Sequence, residues 1–319
     1  MLIPSPADIR SAAARIAGTA VRTPLRLSPA LSRIAEGDVY LKLETEQVTG
    51  SFKLRGAFNA LSALDSASRV RGVVASSAGN HGLGVAFAAK SLGIRATIFV
   101  PETAPRVKRD GIAALGATVD ASEPDYDAAM VHARRYANET GATFVHPCLG
   151  EMLLAGQGTV ALEIIEQLPG VATVITCIGG GGLLGGIAGL LRAERADIRI
   201  IGAQTERTNA MAAALAAGHL VEIPSLPTLA DGLAGQIDDD ALAIGRYGLD
   251  DICVITEEET AAAIAWLWKH EHVRPEGSGA VTAGAILSGR AHGLRFPAVC
   301  VVSGGNIDAE RFDAIVSAG

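Results

Sequence analysis

From about residue 70 the chain alternates short runs rich in β-branched residues with longer stretches of helical periodicity. The runs at 73–76, 96–100, 143–145, 172–178, 198–203, 252–255 and 298–302 read as strands. The stretches 82–92, 105–115, 125–139, 153–168, 183–194 and 257–271 read as helices, and Thr256 with Glu259 makes a capping box at the head of the last. Strands that alternate with helices imply parallel sheets joined by right-handed crossovers, in which ligands bind beyond the carboxyl ends of the strands. Two segments echo each other, SSAGNHGLGVAFAAK (76–90) and IGGGGLLGGIAGLL (178–191). Each is a strand end, a glycine-bearing loop and a helix. The pattern predicts an α/β protein with two such modules facing a common cleft.

Composition agrees with that class. The 319 residues are 49% hydrophobic and 19% charged, enough for a well-buried core in two domains or one large one. The 37 glycines suit helices that lie close on a sheet and loops that approach a ligand. A net charge of −7 with no run of Lys or Arg argues against a nucleic-acid partner. Cys148, Cys177, Cys253 and Cys300 are scattered and form no C-x-x-C pair, so a disulfide framework is not indicated and a reducing cytoplasm is the expected location. The first 18 residues lack a charged segment followed by an apolar one, so no secretory signal is expected. Val171 to Leu191 carries no charge and is long enough to span a bilayer, but Gly179 to Gly182 interrupt it. Its first half is β-branched and its second helix-like, so strand, loop and helix describe it better, and no membrane partner is expected.

Gly179-Gly180-Gly181-Gly182 follows a strand and opens a helix. Successive amides without Cβ obstruction, aimed by a helix N-terminus, form an anion site. Gly180, Gly182 and Gly185 also satisfy the dinucleotide fingerprint, with Glu206 near the expected distance of about 20 residues. A nicotinamide-dependent oxidoreductase is therefore a competing reading, and a tight turn without a ligand a third. No G-K-[ST] follows the glycines, which excludes a P-loop.

Three further segments carry chemistry. Thr49-Gly50-Ser51-Phe52-Lys53-Leu54-Arg55-Gly56 sets one lysine between an aromatic and small residues, where partial desolvation would favour the neutral amine that imine formation needs. In Ser77-Ala78-Gly79-Asn80-His81-Gly82, between a strand and a helix, Asn80 can donate to a phenolate and the amides can hold a carboxylate; a plain helix cap is the alternative. Ser303, in Ser303-Gly304-Gly305-Asn306, stands at the carboxyl edge of a strand, where a simple turn is the alternative.

The ordered set SFKLRGA (51–57), SSAGNHG (76–82), AGQGTVALEI (155–164), GGGGLLGG (179–186), TLADGLA (228–234), EGSGAV (276–281) and SGGN (303–306) closely resembles the pyridoxal-phosphate enzymes of the tryptophan-synthase-β fold type, in the threonine/serine dehydratase and serine racemase branch. The likeness covers about residues 20 to 308. It implies two open parallel-sheet α/β domains with the cofactor cleft between them: residues 1–65 with 150–319 as the large domain, and 70–148 as a smaller insert. It also implies pyridoxal 5'-phosphate as cofactor, a homodimer, and an ammonia-lyase that dehydrates a β-hydroxy amino acid. Lys53 is then the Schiff-base lysine and Phe52 packs against the ring. Asn80 faces the ring's 3' oxygen, Gly179, Gly180, Gly181, Gly182 and Leu183 hold the phosphate, and Ser303 faces the pyridine nitrogen. Ser77, Ala78, Gly79, Asn80 and His81 receive the substrate carboxylate.

The chain departs from its relatives at three places. Racemases of the branch carry a serine acid just before Gly-Asn-His; here Ala78 cannot donate a proton, which favours dehydration over racemisation. Metal-binding members carry acidic side chains after the strand at 198–203, where Gln204 and Ala210 stand here, so no metal site is expected, with Glu206 the one acidic candidate. The segment GAQTERTNAMAAAL (202–215) is unlike the threonine dehydratase pattern and leaves the substrate open among threonine, serine, a hydroxyaspartate, an aryl-serine and a relative used in ectoine breakdown.

Overall fold

The computed structural model describes residues 3–104 and 106–318. Its strands there are β1 (Leu25–Leu27), β2 (Val39–Leu43), β3 (Val73–Ser76), β4 (Ala96–Pro101), β5 (Thr118–Glu123), β6 (Thr143–Phe144), β7 (Thr173–Cys177), β8 (Arg199–Thr205), β9 (Asp251–Ile255) and β10 (Ala298–Val302). They form two sheets, in the orders β1-β2-β10-β7-β8-β9 and β5-β4-β3-β6. All pairings are parallel except that of β1, which runs antiparallel to β2. Two parallel-sheet α/β units are thus present, as the periodicity predicts.

β3, β7 and β10 are buried along their whole length, which is why they read as unbroken apolar runs. β5 (TVDASE) was not legible because it is a half-exposed edge strand with polar residues on both faces. β2 carries no clear strand pattern because Lys42 interrupts its apolar run, although that lysine is fully buried. The long helix Gly277–Leu287 is buried on every side and so lacks the amphipathic period that marks a surface helix. The capping box at Thr256 is present: its hydroxyl accepts from Glu259 N at 3.1 Å and Glu259 Oε2 accepts from Thr256 N at 2.7 Å.

Each sheet has its own core. Around the four-stranded sheet, Leu54, Ala57, Phe58 and Leu61 from the helix Lys53–Ser62 pack with Val85, Ile98 and Ile112 on one face, and Phe99 packs with Ala129, Ala133 and Ala137 on the other. The helix Glu151–Gln167 runs between the two units and is crossed at close range. A Cβ on Gly156 would lie 2.6 Å from Gly56 Cα, and one on Gly186 would lie 2.6 Å from Leu154 O. Small residues at both crossings let the backbones approach, which gives the AGQG and GLLGG segments a packing role.

Beneath the first crossing lies a dry ionic cluster. Arg55 donates through Nε and Nη2 to Glu44, both at 2.8 Å, and through Nη1 to Glu163 at 2.6 Å. Lys42 donates to the other Glu163 oxygen at 2.6 Å, to Thr23 O at 2.7 Å and to Gln167 Oε1 at 2.9 Å. Burial works to raise Glu44, but the Arg55 guanidinium outweighs it and holds the carboxyl below its ordinary value. Burial likewise works to lower Arg55, and its carboxylate partners keep it charged. Removing one member of such a set leaves an uncompensated charge. Glu44→Leu is expected to cost about 3–5 kcal/mol in urea unfolding at neutral pH. A depressed native pKa adds stability above the ordinary carboxylate value and loses it as pH falls through the native one. The gap between wild type and variant should therefore narrow below pH 4.5, the ordinary value of this group, and a constant gap would contradict the assignment.

Candidate active site

The motif loops follow β3 in the four-stranded sheet and β7 and β10 in the six-stranded one, at the carboxyl ends of their strands. Asn80 after β3 meets Asn306 after β10 at 2.7 Å, so segments far apart in sequence come together where the two sheets face each other. The lysine-bearing segment is stitched to the end of β10. Phe52 N donates to Ser303 O at 3.1 Å, Ser51 pairs with Gly304, Gly305 N donates to Gly50 O at 2.9 Å, and Asn306 Nδ2 donates to Thr49 O at 2.8 Å. Lys53 opens its helix, half-buried, with Nζ donating to Pro147 O at 2.7 Å. The amine lies 3.9 Å from Cys148 Sγ and 5.3 Å from the centre of the buried Phe52 ring.

Cys148 links the lysine to the glycine tetrad. A Cβ on Gly180 would meet Cys148 Sγ at 2.8 Å, and one on Gly182 would meet the Cys148 carbonyl oxygen at 2.9 Å. Gly181 takes φ +82°, a left-handed turn that suits glycine, and the helix Gly182–Glu194 starts directly after it. Its first amides, including Leu183, have no acceptor within the helix. Gly185 is not needed for a ligand: a Cβ there would stand 3.1 Å from Leu154 in the crossing helix.

The loop after β3 presents the start of the helix Asn80–Leu92, with the Gly79 amide donating to Ser77 Oγ at 3.1 Å. His81 does not point a charged ring into the cleft. Its ring is buried with Nε2 against Val145 O at 3.0 Å, and burial, aided by Lys53, lowers its pKa to about 3. Asn80 is held on both sides, donating through Nδ2 to Glu276 Oε1 at 2.6 Å and accepting from Asn306 Nδ2 at 2.7 Å. Ser303 is buried, its hydroxyl 3.3 Å from Ser278 O. Ser278 Oγ and Ser51 Oγ, beside it, are buried without a partner.

A family model described as pyridoxal-phosphate dependent enzyme matches residues 16–304. The chain belongs to this family. It is 41% identical to the L-threonine ammonia-lyase of Thermotoga maritima, over 98% of this chain and 78% of that one. It is 39% identical to a catabolic L-threonine dehydratase of Staphylococcus aureus, over 98% and 92% of the two chains. Among solved structures, maize serine racemase superposes with a TM-score of 0.93 at 33% identity, over 99% and 98% of the chains. The cofactor of this family member is pyridoxal phosphate. The site suits it: an amine whose nearest oxygen partner is a backbone carbonyl, a glycine cradle at a helix start, and orphaned buried hydroxyls on the cleft floor. The dinucleotide reading of Gly180, Gly182 and Gly185 gives way, since helix packing already explains the third glycine.

Sequence reasoning left Glu276, Asn306 and Cys148 without roles, although EGSGAV and SGGN include two of them. Their side chains contact residues 95 to 226 positions away in sequence, which spacing cannot reveal. Gln204, by contrast, is fully engaged: its amide donates to Ile178 O and Thr208 O and accepts from Ala212 N. Among the described residues no group of three or more His, Cys, Asp or Glu could hold a metal ion.

Gly181 and Gly182 give distinguishable variants. Gly181→Ala meets nothing closer than 3.6 Å and should cost only the left-handed strain of about 1–2 kcal/mol. Gly182→Ala must displace Cys148 itself. Cys148 is the only cysteine not buried, so alkylation reads its environment directly. Both variants should lower the thermal midpoint, while only Gly182→Ala changes the rate of Cys148 alkylation; equal rates in the two would contradict the contact.

Proposed function

We propose that this enzyme is an amino-acid ammonia-lyase that dehydrates a small β-hydroxy amino acid, threonine first among the candidates, to a 2-oxo acid and ammonia. The observation that carries the reading is the Lys53 amine, fixed by its backbone beside the glycine cradle with a single backbone carbonyl as its oxygen partner. The L-threonine ammonia-lyase and the catabolic L-threonine dehydratase, at 41% and 39% identity, support the reaction class.

Pyridoxal phosphate supplies an aldehyde that bonds amines and a ring that takes up electrons. Lys53 would anchor it covalently, and Nζ would hold and move the proton of the substrate Cα. Gly179 to Gly182 and Leu183 bind the phosphate through amides at the positive end of a helix. Phe52 would pack beside the ring, and Asn80 would face its 3' oxygen. Ser77, Ala78, Gly79, Asn80 and His81 orient the substrate carboxylate at the second helix start, His81 through its backbone. Ser303 faces the ring nitrogen as a neutral hydroxyl that does not hold a full positive charge there, which disfavours transamination. Ala78 offers no proton on the far face, which separates this chain from the racemase reading that maize serine racemase suggests.

The domain limits 1–65 with 150–319 around an insert at 70–148, a homodimeric assembly and a cytoplasmic location belong to the same proposal. No helix among the described residues is long and apolar enough to cross a membrane. The test is Lys53→Ala. Wild type is expected to be yellow, to fix its cofactor to the Lys53 peptide after borohydride, and to release 2-oxo acid from one or more of threonine, serine, a hydroxyaspartate and an aryl-serine. The variant should lose the trapped label and turnover. Retention of both would overturn the proposal.

A further inference from the structure

Glu276 stands at the N-cap of the helix Gly277–Leu287, yet its side chain does not cap that helix. Its backbone amide donates to Gly304 O at 3.0 Å, and its carboxyl turns instead into the cleft wall to take the Asn80 amide at 2.6 Å. The residue is buried, 6% exposed. An N-cap position exists where a carboxylate is welcomed by helix amides, so a carboxyl that forgoes them must have a stronger demand elsewhere.

That demand is the orientation of Asn80. The Asn80 carboxamide has two N–H donors and one oxygen. Asn306 Nδ2 supplies the hydrogen to its oxygen at 2.7 Å and is itself fixed by donating to Thr49 O at 2.8 Å, four residues before Lys53. Glu276 accepts one N–H. The other N–H is the group left to face a ligand, and with its neighbours fixed it can point only one way. An ionised carboxylate only accepts, so in its charged form Glu276 also settles which end of the Asn80 amide is nitrogen.

We propose that Glu276 is a positioning residue for the bound cofactor, acting through Asn80. The inference rests on the proposed contact between Asn80 and the ring oxygen. Since a donor held by a carboxylate differs in strength from one held by a neutral acid, the protonation of Glu276 is transmitted to the ring. The charged groups that act on Glu276 oppose each other: Asp231, on the turn Asp231–Leu233, raises it, and Lys108, on the helix Arg106–Ala114, lowers it. Those two pair with each other at 3.2 Å across the cleft, which weakens both effects. Burial dominates and lifts Glu276 to about 7. The carboxyl therefore changes charge close to neutral pH, and below that pH the Asn80 amide faces a neutral partner.

The test uses holoenzyme and reads the visible absorption band and the cofactor dissociation constant, neither of which needs turnover. Wild type should show a band shift or intensity change centred near pH 7. Glu276→Gln keeps an acceptor of the same shape but cannot ionise, so that titration should disappear while the fold is kept. Glu276→Ala should weaken cofactor binding about tenfold, the loss of one hydrogen bond to a charged group. In an Asn80→Ala background the same Glu276→Ala change should have no further effect. If Glu276→Gln titrates as wild type does, or if Glu276→Ala weakens binding equally with and without Asn80, the positioning role is overturned while the proposed reading of Asn80 stands. If Asn80→Ala alone leaves band and affinity unchanged, the contact between Asn80 and the ring is itself wrong, and the role of Glu276 falls with it.

Discussion

Two residues beyond Lys53 the guanidinium of Arg55 lies out of water, forked onto Glu44 at the end of β2 and onto Glu163 in the helix that runs between the two sheets. A planar fork holding two carboxylates fixes direction as well as distance, so the first turn of the Lys53–Ser62 helix cannot rotate without breaking both pairs. The opposite face of that helix is wedged into the core of the four-stranded unit by Leu54, Ala57, Phe58 and Leu61. On a third side, a Cβ on Gly84 would come within 3.2 Å of the Lys53 carbonyl carbon, so the Asn80–Leu92 helix rests directly on the lysine's backbone. The backbone at Lys53 is thus held from three directions while its amine keeps one carbonyl partner. Covalent attachment of a cofactor needs that combination of a fixed origin and an available nucleophile. Buried ion clusters are poor sources of net stability, and a fully apolar replacement of the four residues could fold as well. What it would lose is the register of the lysine against the cleft.

The sequence made the strand-loop-helix units legible because glycine and β-branched runs leave strong local marks. Seven strand positions came out within about two residues, and the six helices likewise. What stayed hidden has a common cause. Lys42 in β2 and Glu44 beyond it look like surface charges until Arg55 and Glu163, distant in sequence, enclose them. The Gly277–Leu287 helix is apolar all round and has no period to read. In the site, the glycine tetrad stood out by composition and Lys53 through the ordered set of motifs, whereas Glu276 and Asn306 acquire meaning only from contacts to Asn80. Local patterns report elements; pairings across the cleft need the fold.

The electrostatics around Lys53 narrow what the site can do. His81 is buried with one ring nitrogen on a backbone carbonyl, and its pKa is near 3. His146 is lowered to about 4, chiefly by burial and also by Arg134 and Lys53. Cys177, behind Ser303, is raised to about 11 by burial and stays a thiol. Both imidazoles are therefore neutral at physiological pH and do not add positive charge to that of the lysine. Burial and the positive charge of Lys53 disfavour protonating either ring, so neither serves as an acid beside it at physiological pH.

That arrangement bears on the choice between elimination and racemisation. Inversion at a carbon needs a second group that can deliver a proton from the far face, and the position from which the racemase branch delivers it is Ala78 here. His81, three residues on, cannot substitute, because its ring is turned into the protein and does not charge. In the proposed role of Lys53, a proton that its amine takes from one face returns to that face or leaves with the β-hydroxyl. On the proposed reading, the preference for elimination rests on what the methyl group at position 78 cannot supply as much as on what the lysine amine does.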